Sequence, residues 1–268
     1  LVFISTLLAA RTLASMSSQT VRRVTLETCH NFRDMGGYHT MTGRTVAVGR
    51  LYRADTLHRL TPADLQTIVD LGIQTVIDLR SRSELDQHGR VEVGEHDIAY
   101  HHLPMLDEVA GVDRPAPSLA ADPPATLGEA YTRMLDVGTP AIAQAVRILA
   151  QGDTAPAVFH CMAGKDRTGI LAAVVLGALD VPDDEIVADY VLTEETREAR
   201  NAFLADHDPD YLVYLETLPS YALETKAESM REFLLRLRSE HGSIRSYLAT
   251  NGVDAATVDR LAEALLSS

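Results

Sequence analysis

Ten consecutive residues, His160-Cys161-Met162-Ala163-Gly164-Lys165-Asp166-Arg167-Thr168-Gly169, bring together a nucleophile, an anion grip and a candidate proton donor. Five residues separate Cys161 from Arg167, enough for a tight loop to wrap one tetrahedral anion above the sulfur. In such a loop the backbone N–H groups turn inward, and a helix starting at the arginine adds its N-terminal partial charge. A guanidinium can hold two phosphate oxygens at once, and the same positive field favours the anionic, nucleophilic form of a cysteine. Cys161 and Arg167 are therefore read as catalytic. Met162, Ala163, Gly164, Lys165, Thr168 and Gly169 are read as phosphate- or substrate-binding. The Thr168 hydroxyl is placed to hydrogen-bond the sulfur, Gly164 permits the bend, and Gly169 lets the helix pack closely. By chance, Cys-x5-Arg-[Ser/Thr]-Gly is expected on the order of once per thousand chains of this composition.

The elements that must hold this loop are legible on either side of it. Ala157 to His160 (AVFH) reads as a short strand buried mid-sheet. Thr168 to Leu179 is apolar on all sides, as expected of a helix buried all round. Upstream, Val46 to Tyr52, Ile73 to Leu79 and Ile98 to Leu103 read as strands, and Asn31 to Tyr38 as a Gly-ended turn. Thr61-Pro62 opens a helix that Gly72 stops. Asp107 to Gly128 carries four prolines and reads as a long loop. A helix is predicted over Thr139 to Ala150, and nearly everything past Pro182 reads as helical. The pattern predicts an α/β fold with a helical C-terminal half. Residues 25–268 are read as one domain and 1–24 as an N-terminal extension.

The chain has 268 residues and a formal net charge of −14, with 24 basic residues against 38 acidic ones. Such a surface repels nucleic acid and anionic membranes, so no nucleic-acid partner is expected and any anion site must be local. Lys165 and Lys226 are the only lysines, the remaining basic residues being arginine. Two cysteines, Cys29 and Cys161, are too few for a disulfide framework or a structural zinc site. No metal and no cofactor is expected, and Cys29 is read as a buried structural residue. Residues 1–15 are apolar but interrupted by Arg11 and lack a basic leader. They are read as an upstream start or an artefact of expression before Met16, over a clipped targeting signal. No other segment is apolar enough to span a bilayer, which predicts no integral membrane association and a place in the cytoplasm, or secretion without a recognisable signal.

The loop HCMAGKDRTG resembles that of the cysteine-dependent protein-tyrosine phosphatases, and more narrowly their bacterial subgroup typified by a mycobacterial enzyme. The resemblance also rests on NFRDMGGY (31–38), GRLYRAD (49–55), VIDLRSRSE (76–84), HLP (102–104) and IVADY (186–190), and runs from about Thr25 into the C-terminal helices. It implies a phosphatase-like central sheet flanked by helices, and metal-independent turnover through a phosphocysteine. The implied substrates are phosphotyrosine in proteins, with wider reach to phosphoserine/threonine and phosphoinositides. Two departures bear on substrate preference and loop movement: Met162 replaces an aromatic residue, and the region before Ala130 is shorter than the subgroup's acidic insertion.

Two aspartates compete as general acid. Asp166 precedes the loop arginine, as in myotubularin-like and Sac-type phosphoinositide phosphatases, and is the favoured reading. Asp107 follows the strand ending HLPM, where many tyrosine phosphatases carry a mobile acid loop. Lys165 resembles the loop lysine of the tumour-suppressor lipid phosphatase and is expected at the rim, reading additional phosphates. His160 is expected to orient the loop through its ring N–H groups and not to act as a base. Arg33, Asp34, Arg53 and Asp55 are read as ion pairs bracing the active-site wall. By the same resemblance, Val191 to Tyr221 forms a helical lid. The competing readings are a phosphoinositide-preferring lipid phosphatase, a catalytically idle phosphate-binding module and an arsenate reductase. Both Cys161 and Arg167 are present, which disfavours the idle module, and the scarcity of further thiols disfavours the reductase. A monomer is expected.

Overall fold

The computed structural model describes residues 22–106, 123–218 and 223–267. In chain order these form β1 (Arg33–Asp34), β2 (Thr45–Val46), β3 (Leu51–Ala54), α1 (Pro62–Asp70), β4 (Thr75–Asp78), α2 (Arg82–His88) and β5 (Ala99–His102). There follow α3 (Leu127–Leu149), β6 (Ala157–His160), α4 (Asp166–Ala178), α5 (Asp183–Val191), α6 (Arg197–His207) and α7 (Pro209–Glu216). The C-terminal part is α8 (Ala227–His241), α9 (Ile244–Thr250), α10 (Ala255–Leu265) and β7 (Leu266–Ser267).

The main sheet runs in the order β1-β3-β6-β4-β5, and all of its pairs are parallel except β1 with β3. Side chains alternate across it. Leu51, Ile77 and Phe159 pack with α3, α4, α5 and α8 on one face, while Tyr52, Val76 and Val158 pack with Phe32, Leu57 and Ile68 on the other. Helices thus flank a central sheet, as the resemblance implied. The strand AVFH is buried at all four positions, and α4 is buried continuously from Thr168 to Ala178. Among the described residues no helix is long and apolar enough to cross a membrane.

Two expectations need correction. The strand expected over Val46 to Tyr52 is two strands, because Gly49 (φ +76°) turns the chain and its N–H donates to Asp34 Oδ2 at 2.6 Å. The helix expected from Thr139 begins twelve residues earlier, at Leu127, with Pro140 in its interior. Thr139-Pro140 has the look of a helix start, but the real cap is Thr126, whose side chain accepts from Glu129 N. Upstream of the proline, Leu127, Ala130, Tyr131 and Leu135 are all buried, and this packing outweighs the ladder bond that the proline removes.

Candidate active site

The parallel register places Ala54, His160 and Asp78 side by side, so β3, β6 and β4 end at one edge of the sheet. The residues that follow each strand share that edge, where open parallel sheets build their sites. From β6 the chain turns at Cys161 and enters α4 at Asp166, and no side chain caps that helix start. Its first-turn N–H groups are left for a ligand.

The loop is fastened from behind by its carbonyls. Asn31 Nδ2 donates to Ala163 O (3.2 Å) and Gly164 O (3.1 Å), Arg53 Nη2 donates to Gly164 O (2.8 Å), and Thr56 N donates to Met162 O (3.1 Å). Three successive carbonyls of the loop, those of residues 162–164, are thus held by neighbouring elements. Gly164 carries φ +64°, and a Cβ there would stand 2.6 Å from Ala54 O and 2.7 Å from Asn31 Nδ2. At Gly169 a Cβ would stand 3.1 Å from Tyr190 Cδ2, so α4 and α5 meet closely there.

Behind these fasteners lies a buried charge cluster that corrects the expected wall pairs. Arg33 and Arg53 do not pair with Asp34 or Asp55; both reach Asp189 on α5, at 3.1 and 2.5 Å. Tyr38 also donates to Asp189 Oδ1, and Arg33 Nη1 donates to Asn31 Oδ1. Burial alone would raise the Asp189 carboxyl, yet the two guanidiniums hold it well below the usual carboxylate range. Asp34 instead accepts the Gly36 and Gly49 N–H groups. Asp55 accepts from His30 N and Asn31 N, and from the Cys29 thiol. The difference is one of reach: backbone N–H groups brought against them by the fold satisfy these short carboxylates, and two long arginines extend to a partner on another element. Cys29 is buried beside Asp55; burial, with the nearby charge, pushes its thiol up. It is a structural donor.

Cys161 is 2% exposed. Beside it Arg167 forms a two-pronged contact with Glu84 of α2: Nη2 donates to Oε1 at 2.7 Å and Nη1 to Oε2. This leaves Nε–H and one N–H on each terminal nitrogen for an anion. Burial works against the Arg167 charge, but the Glu84 hydrogen bonds and the neighbouring Cys161 sulfur push its pKa up. Glu84 has a second task. Its Oε2 accepts from Ser81 N at 2.7 Å, and Ser81 Oγ accepts from Glu84 N, which closes the capping box of α2.

A cavity of about 1080 Å³ opens onto Arg167 and Met162. Ser81, Arg82, Glu84 and His88 form one wall, and Asp208, Asp210, Tyr211 and Tyr214 form the other. This second wall belongs to the segment expected as a lid, of which Tyr221 lies outside the described residues. An Arg59–Asp208 ion pair ties it to the loop before α1. Burial raises the Tyr211 phenol to about 12, partly offset by Arg200; Cys161 and Arg167 are also among the charges it feels.

Asp166 stands at the first position of α4 with its side chain 32% exposed; Tyr131 OH donates to its Oδ1 at 2.7 Å. Asp107, the competing acid, lies outside the described residues. Lys165 is not at a solvated rim, and here the expectation is corrected. It is 5% exposed, with Nζ 3.4 Å from both Asp166 Oδ1 and Glu224 O. The segment leading into α8 covers it, and no local pattern in the loop announces that cover. Thr168 Oγ1 is buried with no hydrogen-bond partner among the described residues. His160 is fully buried, with Nδ1 3.2 Å from Cys161 O and Nε2 3.6 Å from Asp78 Oδ2. Burial lowers its pKa, and the neutral ring donates from Nδ1.

Glu84, Asp189, Asn31 and Tyr131 were not singled out as site residues. Three of them stand inside the quoted segments VIDLRSRSE, IVADY and NFRDMGGY, and Ser81-Arg82-Ser83-Glu84 is itself a capping-box signature. No sequence signal marked Tyr131.

The sequence profile of the tyrosine phosphatase family matches residues 24–267. A Cupriavidus necator protein named as a tyrosine-protein phosphatase is 31% identical over 254 residues, covering 92% of this chain and 88% of that one. The triple specificity protein phosphatase PtpB of Mycobacterium tuberculosis is 32% identical over 136 residues, 47% of this chain and 49% of its own. Among solved structures, the core catalytic domain of the PP-IP phosphatase SIW14 of S. cerevisiae aligns over 63% of this chain and 78% of its own. Its identity is 14% and its TM-score 0.35.

Proposed function

Since the chain belongs to the tyrosine phosphatase family, we propose that it hydrolyses phosphate monoesters through a phosphocysteine on Cys161, with Asp166 as the general acid. The observation that carries this reading is the fastened loop. Carbonyls 162–164 are tied behind it, the uncapped start of α4 closes it, and Arg167 is aimed by Glu84 beside the sulfur. In the first step Cys161 Sγ attacks phosphorus. The bond to the ester oxygen breaks, and Asp166 gives that oxygen its proton. In the second step water attacks phosphorus, Asp166 takes a proton from it, the P–S bond breaks and inorganic phosphate leaves. Backbone amides and Arg167 meet the phosphate charge at both stages, so the chemistry needs no metal ion.

The proposed substrates are phosphotyrosine in proteins, with wider reach to phosphoserine/threonine and phosphoinositides. The breadth of the cavity and the triple specificity for which the mycobacterial relative is named support that range. α6 and α7 act as the cover of the site, a role supported by Tyr211 and Tyr214 lining the same cavity as Met162 and Arg167. The test is Cys161→Ser, which should bind phosphate esters yet turn over at least about a thousandfold more slowly, since a neutral hydroxyl cannot replace the thiolate. Activity within tenfold of the parent enzyme, or its loss on adding EDTA, would overturn the mechanism.

A further inference from the structure

Behind the site, two buried phenols stand in line with Asp166. Tyr131 on α3 and Tyr190 on α5 are 0% and 1% exposed. Their hydroxyl oxygens are 2.6 Å apart, and that of Tyr131 lies 2.7 Å from Asp166 Oδ1. The rings are fixed by edge contacts, Tyr131 lying 6.0 Å from Tyr190 and 6.1 Å from Phe233 between centroids. Nothing in the loop's own fastening calls for two hydroxyls at this depth. Asn31, Arg53 and Thr56 already hold the carbonyls, and none of them touches Asp166.

The proton count gives the pair a direction. A phenol has one proton to donate. A carboxylate at Asp166 takes the Tyr131 proton, and the Tyr131 oxygen, buried and otherwise lacking a donor, takes that of Tyr190. Burial pushes both phenols well up, so neither loses its proton in the working range. Oδ1 is therefore a permanent acceptor, whether Asp166 is charged or neutral. Its partner Oδ2 accepts no hydrogen bond among the described residues and is the oxygen left to carry an exchangeable proton.

We propose that Tyr131, backed by Tyr190, is a positioning residue that fixes the Asp166 carboxyl by Oδ1 and so assigns proton transfer to Oδ2. The arrangement replaces closure of a separate acid loop with a rigid support from the core. The inference rests on the proposed role of Asp166 as acid, and its test separates the two.

Tyr131→Phe removes one oxygen and keeps the ring. Its kcat should fall on the order of tenfold on phosphotyrosine peptide, whose leaving group needs a proton, and much less on nitrophenyl phosphate. In an Asp166→Asn background the same change should do nothing further, because Tyr131 acts only through that carboxyl. Tyr190→Phe should give a smaller loss with the same dependence on Asp166, and it carries the test if Tyr131→Phe does not fold. An equal loss on both substrates, or a loss that multiplies with that of Asp166→Asn, would make the tyrosines merely structural and overturn the proposal. If Asp166→Asn slows both substrates alike, the acid reading falls and takes this inference with it.

Discussion

Replacing Glu84 by Gln would isolate what aims the arginine. Glutamine keeps one carbonyl oxygen for Ser81 N, so the capping box of α2 survives. What disappears is the charge and one of two acceptors facing Arg167, which is 12% exposed against 25% for Glu84. A charge-assisted hydrogen bond in such a half-buried pair contributes about 1.5–3 kcal/mol. If that contact orients Arg167 for the transition state, kcat/KM falls by roughly 10- to 150-fold. The fall should be similar for nitrophenyl phosphate and a phosphotyrosine peptide, since both present the same phosphoryl group. Thermal unfolding should move only a little. Glu84→Ala should add the lost cap, about 1 kcal/mol, on top. Steady-state kinetics with a melting curve for each variant decides the matter. A Glu84→Gln enzyme with unchanged kcat/KM would refute the claim that Glu84 aims Arg167.

Asp189→Asn leaves Arg33 and Arg53 facing a neutral group and should cost about 3–5 kcal/mol, lowering Tm by roughly 6–20 °C. The Asp189 and Asp78 carboxyls are both held low in the folded protein, against the opposing effect of burial. Their contribution is therefore present above the unfolded-state pKa of about 3.9 and lost as pH falls below it. Urea titrations at pH 6 and pH 3 should show a smaller acid loss for Asp189→Asn than for the parent. Gly164→Ala must place a methyl 2.6 Å from Ala54 O at positive φ. It should reduce turnover by more than tenfold while the far-UV circular dichroism stays unchanged, and full activity would contradict the described loop. Because Lys165 is buried against Asp166, Lys165→Ala should lower kcat/KM by similar factors for phosphoinositide and aryl phosphate. A loss confined to phosphoinositide would return the lysine to substrate reading.

The strand and helix around Cys161 were legible because both are short-range facts: three apolar residues and a histidine, a loop, then a run apolar on all sides. The Arg33 and Arg53 partnership was not, because the nearest acids in sequence, Asp34 and Asp55, are poor guides to charge partners. Backbone amides, three of the four from 15 to 25 positions away, satisfy those two carboxylates, and the partner that remained lies on a helix beyond the loop. Lys165 misled for a related reason: exposure depends on what packs over a residue, and its cover comes from residues near Glu224. Pro140 illustrates the limit of local propensity, since a helix start signal sits in the middle of a helix whose packing is set by its neighbours.

The Asp189 junction also dates the arrival of activity during folding. Arg33 and Asp189 are 156 positions apart, and Asn31 is 133 from Gly164. A nascent chain can hold the complete Cys161–Arg167 segment and its fasteners Asn31, Arg53 and Thr56, and still lack Asp189, the carboxylate that pairs with Arg33 and Arg53 behind them. Closing contacts over such separations costs entropy before it returns any stability. Refolding followed by turnover should therefore lag behind refolding followed by helix content. Fragments that stop short of α5 should retain the cysteine and arginine yet show little of the chemistry. The Cys161–Arg167 segment is a local motif, but the contacts that hold its shape join residues 133 and 156 positions apart.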